Sequence, residues 1–249
     1  AENLIQKTGL DPKELELVIV CTATPDMKAA STAAFTASEI GATNAFSFDM
    51  DAACSSFLFG MSVASTYIES GRYKNVLLIG ADKMSSIINY KDRATCIIFG
   101  DGAGAMIIEP SDDPKDTAYF FNAAKSDLND TLTVKKYIQM DGKKVYQFAV
   151  GAMESAIHKI LDESHLTIDD IDIVIPHQAN ERIIQSVSKS TGIPIEKFML
   201  NLSEYGNTSA ASIPITISEY FDQVETKGKK ILLVGFGGGF TWGSAILQL

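Results

Sequence analysis

Apolar positions along this chain alternate between short consecutive runs and longer stretches with helical spacing, the pattern of strands traded with helices. Leu4, Ile5 and Leu10 predict a first helix, ended by Gly9 and Asp11-Pro12. Leu15-Glu16-Leu17-Val18-Ile19-Val20-Cys21 predicts a strand, with Cys21 read as core. A loop over 22–28 leads to a helix over 31–40 that stops at Gly41. Phe46-Ser47-Phe48-Asp49-Met50 then reads as a buried strand running through a tight turn into an apolar helix over 55–70. Val76-Leu77-Leu78-Ile79-Gly80-Ala81 has the unbroken apolar character of a strand covered on both faces. Residues 95–99 and 105–108 are expected as strands joined by Gly100-Asp101-Gly102-Ala103-Gly104 in a tight hairpin, with Cys96 in the core. That glycine run opens no helix, so it fails as a dinucleotide loop.

After a polar break at 110–115 the pattern starts again. A strand over 118–123 precedes a polar loop reaching about residue 136. Stretches 137–139 and 144–150 lead into a helix through Leu161, and 171–176 is a strand. Helices follow over 179–191 and 215–224, and strands over 231–236 and 244–249 close the chain. The break divides 1–112 from 113–249. Each half ends on two strands joined by glycines, which predicts a duplicated α/β fold with helices between and around two mixed sheets.

Composition narrows the function. At 249 residues and 46% hydrophobic content, the chain can bury a core as one large domain or two intimate halves. A net charge of −10 argues against general binding to nucleic acid or anionic membrane, and an acidic partner would need a local basic patch. Three widely spaced cysteines suit a reducing cytoplasm better than a disulfide framework. No apolar run is long enough to span a bilayer, and the opening Ala1-Glu2-Asn3-Leu4 has neither signal-peptide pattern nor initiator Met.

Candidate chemistry gathers where strand ends meet loops. In Asp51-Ala52-Ala53-Cys54-Ser55-Ser56-Phe57, small residues surround a cysteine at a strand-to-helix turn. The stretch fits either a nucleophile elbow, with the helix N-terminus favouring a thiolate, or a small core cysteine. His177, in Pro176-His177-Gln178-Ala179-Asn180, follows a strand at the start of a helix, whose positive end would keep the imidazole neutral and donating. His158 and His165 read as solvated surface. Asn207, in Gly206-Asn207-Thr208-Ser209, fits either a helix cap or an amide donor. Gly237, Gly238 and Gly239 fit a bare hairpin or, beside a nucleophile, an oxyanion hole.

These four motifs, in this order and at these separations, resemble the β-ketoacyl-acyl-carrier-protein synthase III family, and the 100–104 glycine run fits it too. The resemblance implies a thiolase-like α/β fold with layered α/β/α/β/α arrangement, a homodimer, and a Cys54, His177 and Asn207 site needing no metal or redox cofactor. It implies that Cys54 takes an acyl group from a short acyl-CoA, acetyl-CoA foremost, while the N–H groups of Cys54 and 237–239 hold the oxyanion. His177 and Asn207 then hold malonyl-acyl-carrier protein through decarboxylation and condensation. By the same resemblance Arg93 meets the adenine of CoA, and Arg182, with Lys189 further along its helix, meets the carrier protein. Each of these cations equally fits a solvated charge. Met27 falls where the family crosses the dimer interface into the partner's acyl pocket.

Three departures stand beside the likeness. Tyr146-Gln147 replaces the usual Phe-Lys, the stretch around Leu132 and Thr133 is short, and the family's opening strand and aromatic/basic CoA pair do not precede Ala1. The expectation is therefore a longer protein. Rival readings are a condensing enzyme with a longer or branched starter in polyketide or quinolone synthesis, a cysteine thioesterase, and a non-catalytic acyl-binding relic.

Overall fold

Five consecutive apolar residues make β1 (Leu17–Cys21), and all five are buried. A computed structural model describes residues 1–249 and sets β1 between two parallel neighbours, β2 (Phe46–Met50) and β3 (Val76–Asp82). β4 (Gly102–Ile108) runs antiparallel beyond β3, so the first sheet has the order β2-β1-β3-β4. The chain then leaves this sheet for β5 (Thr117–Ala124), followed by a separate hairpin of β6 (Leu132–Val134) and β7 (Ile138–Met140). Three further strands, β8 (Ile173–Pro176), β9 (Lys230–Gly237) and β10 (Thr241–Gln248), complete a second sheet in the order β5-β10-β9-β8. Only the β8-β9 pair in that sheet is parallel.

Helices α1 (Glu2–Thr8) and α2 (Thr32–Glu39) cover the outer face of the first sheet. Asp49 on β2 holds the start of α2 by accepting the N–H groups of Thr32 at 2.8 Å and Ala33 at 2.7 Å. The inner layer begins with α3 (Ser56–Glu69), while α4 (Gly142–Ser164) and α5 (Glu181–Thr191) cover the outer face of the second sheet. After the single turn α6 (Leu202–Tyr205), α7 (Ser212–Gln223) joins α3 between the sheets. There Phe57, Leu58, Ile213 and Ile217 meet Ile19 and Leu78 from one sheet and Ile175 and Leu233 from the other. The layers are α/β/α/β/α, as expected of a thiolase-like fold. The order β1-α2-β2-α3-β3-β4 recurs as β8-α5-Phe198-α7-β9-β10, with Phe198 bridging Val174 in parallel where β2 pairs with β1.

Two local expectations need correction. Residues 95–98 form turns and Phe99 only an isolated bridge, so the 100–104 glycines join no hairpin, because the antiparallel partner of β4 is β3. Those glycines instead make room for the second half: a Cβ on Gly102 would stand 2.9 Å from Thr208 Cγ2, and one on Gly104 2.8 Å from the Ile215 nitrogen. Without strand pairing, Ile97 is 80% exposed and Cys96 is only half-buried. The helix expected only after 144–150 already begins at Gly142, where Asp141 accepts the Lys144 N–H.

Two 3₁₀ turns, Ala53–Ser55 before α3 and Ser209–Ala211 before α7, meet between the sheets. Their approach depends on Gly80 of β3, where a Cβ would overlap the Ala210 carbonyl. Gly80→Ala is expected to destabilise the fold by about 1–3 kcal/mol through overpacking. A thermal melt several degrees below that of the unaltered protein would show it, and an unchanged melt would mean that the turn does not bear on β3.

Candidate active site

The strand-to-helix turn after β2 is held by its own small polar residues. Asp51 accepts the Ala53 N–H at 2.8 Å, and the Ser56 hydroxyl accepts the Ala52 N–H and donates to the Ala53 carbonyl, both at 2.6 Å. Ala53 is in the left-handed region at φ 51°, a conformation that turns the chain sharply enough to place Cys54 at the junction with α3. The glycine loop between β9 and β10 is pinned to this turn, with the Thr241 hydroxyl donating to the Ala52 carbonyl at 2.7 Å and the Ser55 hydroxyl to the Thr241 carbonyl at 3.1 Å. A Cβ on Gly237 would stand 2.7 Å from the Cys54 nitrogen, so only glycine permits the contact.

His177 comes directly off β8, its backbone N–H extending the sheet to the Val234 carbonyl at 2.8 Å. The ring is almost completely buried and its Nδ1 lies 2.6 Å from the Ser212 hydroxyl. That hydroxyl also accepts the Gln178 N–H at 3.4 Å and has no acceptor for its own proton other than Nδ1, which assigns the ring hydrogen to Nε2. Gln178 ties this strand end to the next loop, donating to the Met199 carbonyl at 3.0 Å and accepting the Asn201 N–H at 3.2 Å.

The backbone of Asn207 bridges Phe99, accepting the Gly100 N–H at 3.0 Å and donating to the Ile98 carbonyl at 2.9 Å. Its Oδ1 accepts the Ser209 N–H at 2.9 Å, which assigns the amide orientation and leaves Nδ2 as the outward donor. Cys54, His177 and Asn207 line one cavity of about 740 Å³, together with Gly238 and Gly239. Most of its wall is apolar, including Ile87, Phe99, Leu132, Ile138 and Phe236. Residues 132–134, where the chain is short, belong to this wall. Arg93, Arg182, Lys189 and Met27 are exposed and stand outside it. No group of three His, Cys, Asp or Glu side chains is placed to hold a metal ion. Sequence reasoning gave no role to Ser209, Ser212, Thr241 and Gln178, although all four lay in or beside the motifs, because a motif does not show which of its side chains turn toward the site.

Two electrostatic expectations change. The helix N-terminus does not make Cys54 a ready thiolate. Burial dominates and pushes the thiol up to about 12, with the charges of Asp82 and Asp51 adding to it and the Ser209 hydroxyl opposing it. His177 is neutral because it is buried, which lowers it to about 4, and not because of a helix end: α5 starts only at Glu181, capped by Asn180. His158 and His165 are exposed, as expected.

The five-layer arrangement, duplicated about two central helices, places the chain in the thiolase-like fold class. Residues 48–126 match the family model described as 3-oxoacyl-[acyl-carrier-protein (ACP)] synthase III, and residues 161–249 match that of its C-terminal part. The chain belongs to the β-ketoacyl-acyl-carrier-protein synthase III family. It is 49% identical to the β-ketoacyl-[acyl-carrier-protein] synthase III of Acholeplasma laidlawii over all of this chain and 81% of that protein. Identity to the Clostridium novyi relative of the same name is 43%, over all of this chain and 82% of the other. The crystal structure of 3-oxoacyl-[acyl-carrier-protein] synthase III from Aquifex aeolicus superimposes with a TM-score of 0.95 at 39% identity, covering 98% of this chain and 80% of that one.

A buried neutral His177 links stability to pH. Below its unfolded value near 6.5 the unfolded chain takes up a proton that the folded chain refuses, so the contribution is full above 6.5 and lost as pH falls toward about 4. Denaturant titrations across that window are expected to show a falling stability that is shallower in His177→Gln. Equal slopes would mean that His177 is not held neutral.

Proposed function

We propose that this protein joins an acyl group carried on Cys54 to malonyl-acyl-carrier protein with loss of carbon dioxide, the step that initiates fatty-acid synthesis. The observation that carries the reading is the convergence of Cys54, His177 and Asn207 on one largely apolar cavity. In the first stage Sγ attacks the thioester of a short acyl-CoA, acetyl-CoA foremost. The acyl–Sγ bond forms, the acyl–CoA sulfur bond breaks, and the thiol proton ends on CoA. The close contact of Gly237 with the Cys54 backbone supports an oxyanion site built from the Cys54 N–H and the 237–239 turn.

In the second stage Nε2–H of His177 and Nδ2–H of Asn207 donate to the thioester carbonyl of the malonyl group. Carbon dioxide leaves, the electrons of the broken bond become an enolate held by these two donors, and the enolate carbon attacks the acyl-cysteine. The carbon–sulfur bond breaks, and Sγ regains a proton from water. The bond to carbon dioxide supplies the nucleophile's electrons, so no redox cofactor is called for. A histidine that resists protonation suits this role, because it donates without surrendering its proton to the enolate.

Partners follow from charge and edges. Arg93 and Arg182 adjoin the cavity-wall residues Ala94 and Ile183 in sequence, and Lys143 adjoins Gly142, which supports cations beside the cavity, on an acidic body, as contacts for CoA and an acidic carrier protein. Lys189 continues that side along α5. The open edge of β2 and the exposed Met27, Phe35 and Phe46 support a homodimer formed there. No helix is long and apolar enough to cross a membrane.

Incubation with acetyl-CoA is expected to add one acetyl group to Cys54 by intact mass and peptide mapping, and none to Cys54→Ala. Asn207→Ala is expected to acylate still, while its carbon dioxide release from malonyl thioester falls by about a hundredfold or more. Equal loss of both stages would overturn the role given to Asn207.

A further inference from the structure

The Ser209 side chain enters none of the chemistry above, yet it is buried at the cavity wall with its hydroxyl 3.3 Å from Cys54 Sγ, its one hydrogen-bond partner in the protein. We propose that Ser209 is a catalytic hydrogen-bond donor to sulfur, stabilising the developing thiolate when Cys54 is deprotonated for attack and again when it is expelled by the enolate. The inference rests on Cys54 as the acyl carrier and adds a residue to that reading.

The internal duplication separates this role from a structural one. Ser209 opens the 3₁₀ turn before α7 at φ 53°, just as Ala53 opens the turn before α3 at φ 51°. At the matching position of the first turn the residue is alanine, so this left-handed turn forms without a hydroxyl. The backbone N–H of Ser209, not its side chain, holds Asn207 Oδ1. The turn itself is anchored by the Ala210 N–H, which donates to the buried Asp82 carboxylate at 3.1 Å. What the hydroxyl alone supplies is a donor aimed at sulfur, in a place where burial and the charges of Asp82 and Asp51 all oppose the thiolate.

Both times sulfur carries charge, the bond is used, and while sulfur is acylated it has little to accept. In acyl transfer the Sγ–acyl bond forms as the donor thioester breaks and the thiol proton goes to the departing thiol. In condensation the Sγ–acyl bond breaks and sulfur takes the electron pair before water returns the proton. Decarboxylation itself involves His177 and Asn207 and not sulfur.

Ser209→Ala keeps the backbone N–H to Asn207 and removes only the hydroxyl. Alkylation of Cys54 by iodoacetamide, followed against pH by mass spectrometry, reads the thiol without any acyl substrate. The titratable groups facing Cys54 are Asp51 after β2, Asp82 at the end of β3 and His177 after β8, and none of them is altered. The expected result is alkylation about tenfold slower at a given pH, with the profile displaced to higher pH. Acetyl transfer is expected to lose about tenfold more than malonyl decarboxylation does, at an unchanged melting temperature. An alkylation profile superimposable on that of the unaltered protein would overturn the proposal. If acetyl-CoA leaves Cys54 unmodified in every variant, the acyl-carrier reading fails instead, while the alkylation profile still decides the hydroxyl–sulfur bond.

Discussion

Everything at the centre of this molecule depends on how closely two turns approach each other between the sheets. The 3₁₀ turns at Ala53–Ser55 and Ser209–Ala211 meet there, and strand-end glycines make it possible. Gly80 of β3 lies against Ala210, and Gly237 of β9 against the Cys54 nitrogen. A methyl group at either place would separate a turn from its sheet, because protein interiors have no slack to absorb it. The proposed nucleophile, Cys54, therefore comes from one half of the duplication, and His177 and Asn207 come from the other.

Burial then sets the electrostatics. Burial among largely apolar walls disfavours the charged forms of both groups, so Cys54 rests as a thiol and His177 as a neutral imidazole. In the proposed reaction, charge develops on the Cys54 sulfur and on a substrate thioester oxygen, and the donors to both are fixed beforehand by packing. Ser212 holds the tautomer of His177, the Ser209 N–H holds the amide of Asn207, and Gln178 ties their two loops together. Donors positioned in advance cost no reorganisation when charge develops.

Much of the fold was legible because its signals are local. β1 and β3 announced themselves as unbroken apolar runs, α2 by Ser31 and Gly41, and the repeat by its alternation of strands and helices. The failures were nonlocal. The 95–99 stretch has strand-like residues but joins no sheet, since β3 takes β4 instead and only Phe99 makes a single bridge, to Asn207. The 100–104 glycines looked like a hairpin, when their small size answers to Thr208 and Ile215 more than a hundred positions away. Cys54 sits at a helix start as expected, but the enclosure around it, which no single stretch contains, reverses the expected thiolate.

By itself the sequence determined the alternating elements, the candidate cysteine, histidine and asparagine, and the family to which the chain belongs. Those follow from side-chain periodicity, turn chemistry and residue order, which are properties of neighbours along the chain. The tertiary structure alone decided which groups share the cavity, which atom of each is free to donate, and which form of Cys54 and His177 is stable. Those depend on distance through space and on the exclusion of water, and both come into existence only when the two halves close on each other.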